Sequence, residues 1–396
     1  MKYNFDKSIE RNNTDSLKVD FKKEHGMSED VLPLWVADMD YETAPCIIKA
    51  LNERVAHGIY GYSYPKERYM KSVIGWMNRR HQWDTKASWY VFTPGVVYAI
   101  ATAIRAFTKT KDRILVQEPV YYPFMKSIES NDRVVVNCPL IYEPKQSPAY
   151  RMDFERMEQL IVTEDIKVCI FCSPHNPVGR VWSREELEQF RNLVLKYHLI
   201  VISDEIHMDF TYNNYKHTVL ASMDEQIVQQ VVTCTSPSKT FNLAGLQISN
   251  IIIANENLRQ QFKEEVERTG YDEPNLFGIV ACQAAYEEGD DWLDELMHYL
   301  EANLRYVHNF IKEHLPSIRL IEPEGTYLLW LDFSAYHLSE DTLNELIQTK
   351  AKLWLDSGEM FGEGGATFQR INIATSRSVL EQAFNQLEQV FLDYEK

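Results

Sequence analysis

The chain has 396 residues, 45% of them hydrophobic, and a formal net charge of −17 at pH 7. That length suffices for a large core and reads as two domains, or one large domain with a subsidiary lobe. The acidic balance argues against nucleic acid or anionic membrane as partners, so an anionic ligand needs a locally built site.

The amino-terminal stretch MKYNFDKSIERNNTDS has no apolar leader core. No apolar run approaches the roughly 20 residues that cross a bilayer, and a soluble cytoplasmic protein is expected. Cysteines at positions 46, 138, 169, 172, 234 and 282 are scattered, mostly in apolar runs, and read as reduced, buried thiols. Cys169 and Cys172 spell C-x-x-C. In a strand such as VCIFC, however, residues three apart face opposite sides, and no second Cys/His pair lies nearby. Neither metal nor redox use is expected.

Helical patterns then alternate with short β-rich runs. VVYAIATAIRAF (96–107) is a helix, RILVQE (113–118) and KVCIFCS (167–173) are strands, and SREELEQFRNLVLKYH (183–198) is a helix. LIVISDE (199–205), VVTCTS (231–236) and ISNIIIA (248–254) are strands. Such alternation requires crossover connections and predicts an α/β fold, a mostly parallel sheet covered by helices on both faces. After about residue 285 the long polar helix DDWLDELMHYLEANLRYVHNFIKEHL leads into IRLIEP, TYLLWLDF and FQRINIA, a smaller α+β set. The expected division is an N-terminal segment, 1–45, joining the small domain; a large domain, 46–285; and a small C-terminal domain, 286–396.

In a parallel sheet of this kind ligands collect at the carboxyl ends of the strands. Thr93-Pro94-Gly95 precedes a helix whose first-turn N–H groups form a ready anion site. Tyr121 and Tyr122 are core aromatics or a stacking face. Asn176 before proline is turn chemistry or a ligand amide. Asp204 closes an apolar strand as a turn cap or an acid. Lys239, in SPSKTF after an apolar run, taken alone is a solvated surface charge, a reading that only its company elsewhere in the chain can overturn. Arg370 heads the strand INIA as a rim charge or a fork for a carboxylate. Each feature alone is weak; together they match the needs of pyridoxal 5′-phosphate (PLP), namely a Schiff-base lysine, a carboxylate for the pyridine nitrogen and phosphate donors.

Eight segments, in order LPLWVADMDY, YGYSYP, TPGVVYAI, EPVYYPF, SPHNPVGRVWSREEL, VISDEIHMDF, SPSKTFNLAGLQ and RINIA, resemble the fold type I PLP enzymes of the aminotransferase class I/II superfamily. Within it the chain is similar to the MalY/PatB group of cystathionine β-lyases, or C–S lyases. The resemblance implies that Lys239 carries the cofactor, that Asp204 faces the pyridinium nitrogen, and that Asn176 bonds the ring 3′-oxygen with His207 close by. It makes Tyr121 the stacking ring and Tyr122 a proton donor toward the substrate. Val96 and Val97 N–H, Ser236, Ser238 and Tyr64 serve the phosphate, with Tyr64 reaching in from a neighbouring subunit of an obligate homodimer. Arg370 clamps the substrate α-carboxylate and Val36 lies against the substrate.

Two departures stand out. Gln247 occupies the place of the phosphate-pairing arginine of aspartate aminotransferases, and Lys18-Val19-Asp20 replaces the subgroup's Lys-Trp-Asp. The implied reaction is α,β-elimination of an S-substituted cysteine to pyruvate, ammonia and a thiol. An aminotransferase is the nearest alternative, because the same residues begin both reactions. A regulatory protein acting through a protein partner is the second; no helix-turn-helix or basic stretch supports DNA contact.

Overall fold

The computed structural model describes residues 2–212 and 215–394. Seven strands, β1 (Tyr90–Thr93), β2 (Arg113–Val116), β3 (Val134–Asn137), β4 (Val168–Cys172), β5 (Ile200–Asp204), β6 (Val231–Thr235) and β7 (Ser249–Ile252), form one sheet in the order β1-β7-β6-β5-β4-β2-β3. The pairings from β3 through β6 are parallel, whereas β7 runs antiparallel to both β6 and β1. Two reversals restore direction, so β1 ends on the same edge as β4, β5 and β6.

β4, β6 and β7 are buried along their whole length. Burial on both faces is what a covered sheet imposes, and β4, VCIFC, meets it with an unbroken apolar run. Cys169 packs into one core cluster and Cys172 into the cluster on the opposite face. Helix Val96–Phe107 buries Val96, Ala99, Ile100, Ala103 and Ile104. Helix Arg184–Tyr197 starts from a capping box in which Ser183 and Glu186 satisfy each other's backbone N–H. It buries Phe190 in a stack 4.5 Å from Phe171 of β4.

Helix Asp290–His314 turns a long apolar stripe, Trp292 to Ile311, inward. It leads to a second, antiparallel sheet of β8 (Arg319–Ile321), β9 (Leu328–Asp332), β10 (Asp356–Ser357) and β11 (Phe368–Asn372), ordered β8-β9-β11-β10. Arg370, expected at the head of its strand, is instead central in β11, opposite Trp330 on one side and Asp356 on the other. The short pair Leu32–Pro33 with Leu353–Trp354 joins the N-terminal segment to this part of the chain, and Trp35 stacks on Trp354 at 4.5 Å.

Among the described residues no helix is long and apolar enough to cross a membrane.

Candidate active site

Along the shared carboxyl edge lies a cavity of about 200 Å³. β1 contributes Gly95, Val96 and Val97; β4 contributes Cys172 and Asn176; β5 contributes Asp204 and His207; β6 contributes Ser238 and Lys239; Tyr121 and Ala37 complete the wall. Gly95 caps helix Val96–Phe107 without a side-chain bond, and its carbonyl accepts the first helical bond, from Ala99 N–H (3.1 Å). The N–H groups ahead of Ala99 are therefore left for a ligand.

Lys239 sits on the single-turn helix Pro237–Thr240. Ser236 caps that turn, accepting from Ser238 N–H (3.1 Å) and lying 2.7 Å from both Ser238 Oγ and the Ile248 carbonyl. The Lys239 ammonium donates to the Ala37 carbonyl (2.7 Å). Burial pushes its pKa down to about 8; Asp38 and Asp204 oppose the fall and Arg370 adds to it. Asp204 is driven the other way. Burial raises its carboxyl to about 7, against the Ile206 N–H (3.1 Å) and the nearby Lys239, with Glu205 adding to the rise. His207 is held well below its ordinary value by burial and then by Lys239 and Arg370, so its imidazole is neutral. Its Nδ1 is buried with no hydrogen-bond partner among the described residues.

Arg370 is buried. Nη1 donates to Asn176 Oδ1 (3.0 Å), Nη2 donates to the Trp35 carbonyl (3.2 Å) and to the Asp356 carboxylate, and the guanidinium lies 4.8 Å from the Phe361 ring centroid. Asn176 thus links the large sheet to the small one. Tyr121 and Tyr122 have ring centroids 5.5 Å apart, and burial raises both phenols. Tyr121 forms part of the wall, whereas Tyr122 sits outside it, edge-on to Phe361 at 6.0 Å.

Ser236, Arg370, Val36 and Tyr64, also expected at the site, do not line the cavity, nor does Gln247. Val36 packs against Val31, Trp35 and Trp354, while its carbonyl accepts from Asn372 Nδ2 (2.8 Å). Tyr64 is 59% exposed in a run with exposed Ile59, Tyr60 and Tyr62. Gln247 is exposed, in the left-handed position after the turn Ala244–Leu246 (φ 52°).

Sequence reasoning missed Ala37, Asp38 and Asp356. Ala37 acts through a backbone carbonyl, which leaves no trace in residue type. Asp38 belongs to a charged quartet with Arg11, Lys18 and Asp40, in which Lys18 is almost wholly buried 2.9 Å from Asp40 and Arg11 lies 2.7 Å from Asp38. Asp356 had a signal, since like Asp204 it follows an apolar run, Leu353-Trp354-Leu355.

The model of the family described as aminotransferase class I and II matches residues 29–387. Cystathionine beta-lyase PatB of Bacillus subtilis is 41% identical over 385 residues, covering 97% of this chain and 99% of that protein. Protein MalY of Escherichia coli is 32% identical, covering 96% of each. The crystal structure of cystalysin from Treponema denticola, which contains a pyridoxal 5′-phosphate cofactor, superposes with a TM-score of 0.95 at 39% identity, over 99% of this chain and all of that one. With the family model spanning residues 29–387 and a relative 41% identical over 97% of this chain, the chain belongs to the aminotransferase class I and II family.

Proposed function

We propose that the protein is a PLP-dependent carbon–sulfur β-lyase that cleaves cystathionine or related S-substituted cysteines to pyruvate, ammonia and a thiol. The observation that carries this reading is the joint burial of Lys239 and Asp204, one pushed toward neutrality from above and the other from below, in a single cavity. The donor set fits PLP. Asp204 is a desolvated carboxylate in need of a cationic N–H, the helix start at Val96 and Val97 with Ser236 and Ser238 offers phosphate donors, and Tyr121 offers a ring face. Asn176, with His207 beside it, would serve the ring oxygen. Gln247 brings no charge to the phosphate end, so neutral donors must carry it.

When bound, PLP supplies the electrophilic carbon that Lys239 holds and the electron sink that makes the substrate Cα–H acidic. Arg370 binds and orients the substrate α-carboxylate. Lys239 Nζ, whose pKa burial lowers to about 8 in the cofactor-free chain, is the base placed to take the Cα proton. Tyr122 Oη or the resulting Lys239 ammonium then gives a proton to the departing sulfur.

Elimination and amino transfer are separated by products. An S-substituted cysteine is expected to give stoichiometric pyruvate, ammonia and thiol in single turnover without any keto acid. Pyruvate that forms only after 2-oxoglutarate is added would replace the lyase reading with an aminotransferase.

We further propose a cytoplasmic homodimer with shared sites. Six unpaired cysteines support the compartment, and the exposed run Ile59, Tyr60, Tyr62 and Tyr64 supports a buried contact in the assembly. Tyr64→Phe should weaken cofactor retention. Mixed with inactive Lys239→Ala protein, it should form hybrid dimers with one intact site, restoring up to about a quarter of wild-type activity under random exchange. No recovery in mixtures shown to exchange subunits would confine Tyr64 to its own chain.

A further inference from the structure

Arg370 has five N–H donors in a planar fork, and a carboxylate can bind it two-pronged only along the Nε/Nη2 edge or the Nη1/Nη2 edge. Both edges include Nη2. In this structure both Nη2 hydrogens are engaged, one by the Trp35 carbonyl and one by the Asp356 carboxylate, while Nε has no partner among the described residues. The guanidinium that is read above as the substrate's carboxylate clamp is therefore already holding an internal carboxylate. Asp356 is directly opposite Arg370 across the β10–β11 pair, and their side chains are 3% and 4% exposed.

We propose that Asp356 is an internal stand-in for the substrate carboxylate, and that a substrate reaches the Arg370 fork only as Asp356 takes up a proton and gives up its share of Nη2. This rests on the reading of Arg370 as the clamp. Two carboxylates on one desolvated guanidinium leave a net negative charge in a buried site, which is the condition under which one of them protonates. Burial already raises the Asp356 carboxyl above its ordinary range, with Arg370 opposing the rise. The other titratable groups around the pair are Tyr121 and Tyr122, whose phenols are neutral near pH 7, and, toward Arg370, Lys239, His207 and Tyr327. Lys239 and His207 belong to the cofactor end of the site. Asp356 is the acid that shares the guanidinium with the incoming ligand.

The sign follows. If the bound state holds one more proton than the free state, affinity for a carboxylate falls as pH rises, by at most tenfold per pH unit for one linked proton. Asp356 is thus a specificity element as well as a positioning residue. It penalises ligands that cannot offer a full negative charge at that end, because a neutral group cannot displace it.

The test uses the holoenzyme and 3-(methylthio)propionate, which carries the carboxylate and the thioether but no amine with which to join the cofactor. Calorimetric titration in two buffers of different ionisation enthalpy counts the protons taken up per site. Wild type is expected to take up a substantial fraction of one proton at pH 8 and to bind more weakly at pH 8 than at pH 6. Asp356→Asn, which retains an oxygen acceptor for Nη2, should bind about tenfold tighter at pH 8 and lose that fraction. Any uptake at the cofactor end is common to both proteins and cancels. Asp356→Ser provides the same comparison should the asparagine variant not fold. Equal proton uptake in wild type and variant would overturn the proposal. Unchanged affinity in Arg370→Gln would instead remove Arg370 as the carboxylate clamp, a failure of the underlying reading that the proton count alone would not produce.

Discussion

Lys239→Ala is expected to abolish elimination and covalent cofactor retention together. On the proposed reading Nζ is the nitrogen that holds the cofactor's carbonyl carbon and the base for the substrate Cα proton, and among the described residues no other lysine lines the cavity. Loss of a positioned base alone costs about 10²–10⁴ in rate, and loss of the attachment nitrogen adds to it. The fold should survive, because the side chain contributes one hydrogen bond, to the Ala37 carbonyl, and its burial is unfavourable to the charged form. Three readings check the assignment: pyruvate release, visible absorption after dialysis, and borohydride fixation followed by peptide mapping. Fixation of cofactor on a different lysine would move the active site elsewhere.

Much of this arrangement was legible before any coordinates. Helix Val96–Phe107 matches its expected span because its apolar spacing has the helical period and Gly95 marks its entry. Strand Val168–Cys172 is legible because a sheet covered on both faces selects an unbroken apolar run. Strands Tyr90–Thr93 and Val134–Asn137 did not stand out: they are the two edges of the sheet, and each is held by a single neighbouring strand distant in sequence.

The site divides along the same physical line. Asp204, Asn176 and Lys239 follow strands, so chain order alone brings them to one edge. Asp356, by contrast, matters because β10 lies beside β11, a pairing made by the second sheet rather than by any motif. Asp38 matters because Arg11 and Lys18, far up the chain, hold it near Lys239. Residue type tells what a side chain can do; which partner it meets across a long loop is decided by the closing of the fold. Arg370 shows both halves, since its guanidinium chemistry was legible and its occupation by an internal carboxylate was not.

Asp204→Asn is expected to cut proton abstraction from the substrate Cα by roughly 10–10³-fold while making the cofactor-free protein more stable. The loss follows from charge. An ionised carboxylate beside the ring nitrogen favours the protonated ring by about 1–3 pKa units, and each unit is tenfold in that population. An amide at the same position accepts a hydrogen bond without that charge. The gain in stability follows from the cost of keeping the carboxylate in place. Burial raises Asp204 from 3.8 to about 7 in the cofactor-free chain, so its influence on folding is neutral below about pH 4, grows unfavourable as pH rises from there to about 7, and is fully felt above that. That difference corresponds to roughly 4 kcal/mol as an upper bound at pH 8, part of which Asn recovers. Cα hydrogen exchange on the holoenzyme and thermal unfolding of the cofactor-free protein at pH 5 and pH 8 measure the two effects separately. The midpoint of Asp204→Asn should exceed wild type by several degrees at pH 8 and by less at pH 5. Unchanged exchange with cofactor bound would detach Asp204 from the ring nitrogen. A midpoint that falls equally at both pH values would mean that the carboxylate holds the fold through contacts other than the desolvated charge, and that its burial is structural rather than a site kept ready for a cation.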